Sequence, residues 1–193
     1  MISALIGVAL ASSPCPELVT ALPPSSLYEQ GDPRLQADGL IVALKASRRL
    51  MRFDGGRLVD GACWAMGLAM DYPAGPKRVQ GDLKTPEGWY RTSDKPWSSY
   101  YGAIAIHYPN ENDAALGRRS GRITAAQQRD IEAALRAGDK PPQNTPLGGE
   151  ILIHGGGAET DWTLGCLALE NDAIDTLRNS LPRKQVTTVL ILP

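Results

Sequence analysis

The segment IHGGGAETDWTLGC, Ile153 to Cys166, holds one of the chain's two histidines and one of its three cysteines. His154 and Cys166 stand on either side of a loop crowded with glycines. The nucleophilic form of cysteine is the thiolate, free cysteine has a pKa of about 8.5, and a neighbouring imidazole lowers that value or takes the proton during attack. The pair is therefore a candidate nucleophile and general base. Gly165 leaves the backbone free to aim its own amide and that of Cys166 at a developing oxyanion. The competing reading is a hydrogen-bonded strand-end histidine and a small core cysteine with no chemistry between them.

For the pair to meet, adjacent elements must carry it. EILIH reads as a buried strand ending at His154, where Gly155, Gly156 and Gly157 let the backbone turn away. CLAL reads as a second strand that starts at Cys166. Two neighbouring strands joined by this loop would bring both side chains to one end of a sheet. Further strands are expected in LIVALKASRRLMRFDGGRLV, as two paired strands around the turn signal Asp54-Gly55-Gly56, and in GWYRTS, YYGAIAIHYP and VTTVLIL. In YYGAIAIHYP, Ile104, Ile106 and Tyr108 alternate onto one face, and Ala105 and His107 onto the other. Thr124 with Gln127 makes a capping box for a helix that Gly138 stops, with Ile131, Ala134 and Leu135 inward. A second helix is expected from a cap at Asn171, with Ile174, Leu177 and Leu181 inward. Tyr108-Pro109-Asn110 with Asp113 reads as a strand exit with Asx-type turn bonding. Strands dominate and no βαβ alternation appears, so the class is mainly β or α+β around one core.

Composition narrows the functional classes. The chain has 193 residues, 42% hydrophobic and 21% charged, which suits one globular domain. Lys and Arg number 20 against 21 Asp and Glu, a formal charge of -1, so no positive excess exists to track nucleic acid. Residues 1–38 are rich in Pro, Ser and Gly and read as a lead-in lying over the domain, with the folded body from residue 39 or so to 193. Ile2 to Ala11 is compatible with a truncated export signal, a plain N-terminal strand or helix being the alternative. No run elsewhere approaches the ~18 apolar residues of a membrane span. Cys15, Cys63 and Cys166 have no CxxC spacing, so neither a metal nor another cofactor is expected. Cys15 and Cys63 either pair in an oxidising compartment, leaving Cys166 free, or all three remain thiols. HGGG is similar to the oxyanion-hole signature of lipases and esterases, yet no GxSxG elbow supplies their serine. GDLKTPEG lacks the GxxxxGK[ST] of a phosphate loop.

Four blocks in order, GPKRVQGDLKTPEGWY, YYGAIAIHYPNENDA, NTPLGGEILIHGGG and DWTLGCLALENDAID, resemble successive blocks of the L,D-transpeptidase (YkuD-type) catalytic domain. The family's histidine, variable loop, Ser/Thr, usual His, Gly and Cys correspond to His154, then Thr163-Leu164-Gly165-Cys166. The resemblance implies a mixed, sandwich-like β-sheet core with two inserted helices. It implies Cys166 as acylated nucleophile and His154 as base, held by a backbone carbonyl near Gly155. Gly165 and Cys166 amides would form the oxyanion hole, and the Thr163 hydroxyl would brace the loop. Leu164 departs from the usual histidine and removes whatever that side chain does. Gly155, Trp162, Tyr108 and Arg118 are candidates for substrate binding, and Arg91, Arg119 and Arg122 could also receive carboxylates.

The implied substrate is a peptidoglycan stem tetrapeptide. Cys166 would release D-Ala and hold the remainder as a thioester, which a side-chain amine would take in transpeptidation. Water as acceptor would make the protein an L,D-carboxypeptidase or endopeptidase, and a non-catalytic cell-envelope binding domain is the reading from another class. The periplasm or cell envelope is the expected location, with the cytoplasm as alternative. Substrate recognition is expected to come from the catalytic cleft itself.

Overall fold

The computed structural model describes residues 15–181 and 187–193, so the export-signal reading of Ile2 to Ala11 falls outside the described residues. The predicted hairpin forms as strands β2 (Arg49–Asp54) and β3 (Arg57–Ala65). Gly55 and Gly56 take φ of 51° and 75° in its turn, where a side chain would be strained. Before it lies a further strand, β1 (Leu40–Leu44), so this segment contributes three strands rather than two. β1 is buried at all five positions because it pairs on one side with β2 and on the other, in parallel, with the C-terminal strand Thr187–Leu192. A strand covered on both faces reads as a continuous apolar run.

Strands β4 (Gly88–Asp94), β5 (Ile104–Ile106), β6 (Leu152–His154), β7 (Leu167–Ala168) and β8 (Thr187–Leu192) complete one mixed sheet of order β3-β2-β1-β8-β4-β5-β6-β7. Only β1·β8 and β6·β7 are parallel. The α+β, mainly-β class holds, with a single continuous sheet as its frame. One face carries Ile104, Ile106, Tyr108, Ile153, Val189 and Ile191 beneath the helices. The opposite face carries two smaller apolar groups. Leu40, Val42, Met51, Phe53 and Leu190 form the larger, and Ala103, Ala105 and Leu152 form the other, against which Cys166 packs.

Three α-helices are present among the described residues: α1 (Glu111–Arg119), α2 (Ala125–Ala137) and α3 (Asn171–Ser180). In α2 the expected capping box and the left-handed Gly138 stop both form. The sequence reading lacked α1, because Asn110 and Asp113 give the same local signal as an Asx turn. Here the two side chains cap each other's backbone and start a helix. The cap of α3 also differs: Glu170 holds that position without a side-chain capping bond, and Asn171 is the first helical residue. Asn171 Oδ1 instead accepts from the Gly156 amide at 3.0 Å.

The lead-in lies over the sheet as its composition suggests, but it also supplies core. Val19, Leu22, Tyr28 and Leu35 are buried against β1, β2 and β8. A disulfide between Cys15 and Cys63 ties this segment to β3, with Cα atoms 6.4 Å apart. Cys166 is the free cysteine.

Candidate active site

Strands β6 and β7 fix the two reactive side chains. Their parallel register pairs Ile153 with Leu167 and His154 with Ala168. Cys166 precedes that pairing by one residue and packs beside Leu152, two residues before His154. Because side chains alternate along strands, Cys166 and His154 fall on the same face. Both line a cleft of about 790 Å³ together with Lys77, Lys95, Trp97, Tyr100, Glu150 and Trp162.

His154 is oriented by its own neighbour. Its Nδ1 lies 2.6 Å from the Gly155 carbonyl, which can only accept, so Nδ1 carries the proton and Nε2 keeps the basic lone pair. Tyr100 stacks on the imidazole at 4.4 Å between centroids, and Trp162 meets it edge-on at 5.4 Å. Burial pushes the imidazole below its usual pKa, only partly offset by the Gly155 bond. The base is therefore neutral at pH 7.

The Cys166 thiol donates to the Glu150 carbonyl at 3.6 Å. Burial pushes its pKa above the ordinary value, outweighing the lowering effect of the Leu152 amide. This departs from a thiolate preformed by the histidine. Glu150 itself has φ of 55°, accepts from Lys140 at 2.9 Å and pairs with Lys95. Its burial would raise the carboxyl, but the two ammonium groups outweigh that and hold it charged.

Thr163 braces the loop as expected: its hydroxyl donates to the Cys166 carbonyl at 2.9 Å. The same oxygen accepts from the Gly165 amide at 3.2 Å. That bond engages within the turn the Gly165 N–H, one of the two amides expected to face the oxyanion. The glycine serves a different need. At φ of 125°, a Cβ there would lie 2.6 Å from the Lys84 carbonyl, so only glycine lets the loop lie against the segment that precedes β4. Asp161 anchors the loop's far side, accepting from Arg48 Nη2 at 2.5 Å and from the Leu68 amide at 2.8 Å. The adjacent Trp162 amide donates to the Leu68 carbonyl.

Several candidates lie elsewhere. Tyr108 is fully buried in the helix-side core and is not a substrate contact, since alternation turns it away from the cleft. Arg118 is an exposed residue of α1 and does not border the cleft. Arg91 donates to the Leu135 carbonyl at 2.9 Å and Arg122 to Ser120 Oγ at 2.8 Å. The cations in the cleft are Lys77 and Lys95. Gly155 acts through its carbonyl on His154, and its Cα faces Asn171, Tyr101 and Ile174. His107 is buried against Ser93 Oγ at 2.9 Å, and burial lowers its pKa to about 4. It borders a separate small cavity beside Arg91. Sequence reasoning did not select Tyr100, Trp97, Lys95 or Glu150. The aromatic cluster in DKPWSSYYG was the available signal.

No group of three His, Cys, Asp or Glu among the described residues is placed to hold a metal ion. No described helix is long and apolar enough to cross a membrane.

Comparison with known proteins adds three findings. The model of the YkuD family, described as the L,D-transpeptidase catalytic domain, matches residues 38–191. A protein of Escherichia coli (strain K12) named "Putative L,D-transpeptidase YafK" is 33% identical over 106 residues, which are 53% of this chain and 30% of the relative. The solved structure of the helical cell shape determining protein Pgp2 from Campylobacter jejuni is similar in fold, with TM-score 0.52 and 22% identity. That similarity covers 79% of this chain and 46% of Pgp2. The matched part is thus under half of each relative's length.

Proposed function

This chain belongs to the YkuD family of L,D-transpeptidase catalytic domains, and from that membership we propose that it is a cysteine-dependent L,D-transpeptidase acting on peptidoglycan stem tetrapeptides. The observation that carries the proposal is the shared cleft face of His154 and Cys166. The base there presents an unprotonated Nε2 and the nucleophile is a free thiol.

A neutral imidazole and a neutral thiol favour proton transfer during attack rather than before it. The Cys166 S–H leaves the Glu150 carbonyl for His154 Nε2. As the proton passes to the imidazole, sulfur bonds to the carbonyl carbon on the L-residue side of the terminal L,D bond. The imidazolium is steadied by the Gly155 carbonyl at Nδ1 and then protonates the departing amine. D-Ala leaves and the stem tripeptide remains as a thioester on Cys166. An incoming amine loses its proton to His154, attacks the thioester and expels the Cys166 sulfur, which recovers a proton from the imidazolium. Water at the same step gives a tripeptide and makes the protein a carboxypeptidase. The Cys166 amide is the remaining candidate donor to the oxyanion, since Thr163 engages that of Gly165. The disulfide supports a cell-envelope location, where oxidising conditions preserve such bonds.

Incubation of the purified protein with a disaccharide tetrapeptide, followed by mass spectrometry of products, tests this reading. Release of D-Ala by the wild type and not by Cys166→Ala is expected. A cross-linked dimer identifies the transpeptidase, a tripeptide the carboxypeptidase. No release by either protein counts against the chemistry and favours a binding domain.

A further inference from the structure

Some of the large apolar side chains left exposed among the described residues gather at the catalytic cleft. Among the described residues seven stand out: Leu18, Met70, Trp97, Tyr100, Tyr101, Leu116 and Leu164. Trp97, Tyr100 and Leu164 line the catalytic cleft. Tyr101 follows Tyr100 in the chain, and the Met70 amide donates to the Thr163 carbonyl beside Leu164. Three of the seven thus line one opening. Apolar groups scattered singly over a surface need no explanation, whereas a cluster at the mouth of a site marks a ligand contact.

The aromatic members are held in place before any ligand arrives. The Lys95 amide donates to the Ala103 carbonyl, the Ser98 amide to the Lys95 carbonyl and the Tyr100 amide to Ser98 Oγ. Tyr101 is fixed by its hydroxyl, which donates to Asp175 at 2.6 Å. Within this turn Trp97 remains 78% exposed. A large ring held out in water by a hydrogen-bonded turn is a preorganised surface, which lowers the ordering cost of binding. The same cleft wall carries the neutral hydrogen-bonding groups Ser98, Ser99 and Gln80, alongside the charged Lys77, Lys95 and Glu150. Flat aromatic faces beside neutral donors and acceptors suit a ligand with an apolar C–H face and a rim of hydroxyl or amide groups. That is the chemistry of a sugar ring.

We infer that the Trp97–Tyr101 turn is a sugar-binding platform, on which the glycan portion of the substrate rests while its peptide enters the cleft. This rests on the proposed function: a stem peptide in the cleft is bonded at its N-terminal end to a sugar, and the platform is continuous with the cleft. The enzyme then selects stems still attached to glycan over free peptides.

The test compares kcat/KM for D-Ala release from a disaccharide tetrapeptide with that from the free tetrapeptide, for wild type, Trp97→Ala and Trp97→Phe. The wild type is expected to prefer the disaccharide form by about tenfold, the scale of one aromatic contact. Trp97→Ala should bring the ratio close to one, and Trp97→Phe should restore most of it. Titration of the Cys166→Ala protein with the peptide-free disaccharide should shift its tryptophan fluorescence, and the shift should be lost in the Cys166→Ala, Trp97→Ala protein. Release from both substrates with equal kcat/KM in all three proteins overturns the platform and leaves the proposed function standing. Absence of release from either substrate overturns the function, and the fluorescence titration then judges the platform alone.

Discussion

At the scale of single residues, the resting state is set by two carbonyl groups. Gly155 takes the Nδ1 proton of His154, and Glu150 takes the thiol proton of Cys166. Burial moves the two side chains in opposite directions, the imidazole down from 6.5 and the thiol up from 9.0. Between those values the protein holds a base ready to accept and a nucleophile still protonated. Alkylation of Cys166 by iodoacetamide should therefore rise about tenfold per pH unit from pH 7 to pH 9, because only the thiolate reacts. A rate flat across that range would mean a preformed thiolate and contradict the neutral pair. The acid limb of kcat/KM belongs to His154 and should lie below pH 6.5, since protonation removes the base. The sequence made the identities of the pair legible. It did not make the resting protonation legible, because that depends on Glu150, Leu152 and the depth of the cleft. Leu164 is 63% exposed at the cleft edge, so its place in the motif is a surface position.

At the scale of elements, the catalytic loop is held by what lies beneath and beside it. Gly165 sits against the Lys84 carbonyl, Asp161 ties the loop to Arg48 and Leu68, and Asn171 reaches back from α3 to the Gly156 amide. Gly165→Ala places a methyl group 2.6 Å from that carbonyl and demands φ of 125° from a residue with a side chain. Thermal unfolding should show a destabilisation of about 1–3 kcal/mol, with turnover reduced more than stability because Cys166 is the next residue. An unchanged melting temperature would show that the loop can move away from Lys84. The strands were legible because alternation in IAIHY and the glycine turn in DGGR survive in any context. Helix α1 was not, because an Asn–Asp pair supports an Asx turn as readily as a capping box. The outcome turns on Asp113 being buried beside Tyr90 and Arg78, a tertiary fact. Asn171 failed as a cap for a related reason, its side chain being taken by the glycine loop.

At the scale of the whole molecule, the chain closes a single sheet from both ends. β8 is inserted between β1 and β4, so the C-terminal strand joins the hairpin half to the catalytic half. The lead-in covers the hairpin half and is stapled by Cys15–Cys63 across 48 residues of sequence. Opening that loop should lower stability by about 2–4 kcal/mol, read as a fall in melting temperature for Cys63→Ser or on reduction. Proteolysis should then reach the chain before Leu40 first. Equal melting temperatures with and without the bond would show that the buried Val19, Leu22, Tyr28 and Leu35 hold the segment unaided. The platform at Trp97 and the cleft at Cys166 lie at the other end of the sheet, so the staple should affect stability more than chemistry.

Acylation of Cys166 is the step on which the proposed chemistry depends. Intact-protein mass spectrometry of a rapidly quenched mixture of enzyme and disaccharide tetrapeptide measures this directly. The predicted result is a protein whose mass rises by that of the disaccharide tripeptide less one water, with the adduct located on Cys166 and absent in Cys166→Ala. It should fail to accumulate in His154→Ala. Turnover with no adduct in the wild type, or an adduct that persists in Cys166→Ala, would contradict the assignment of Cys166 as the nucleophile.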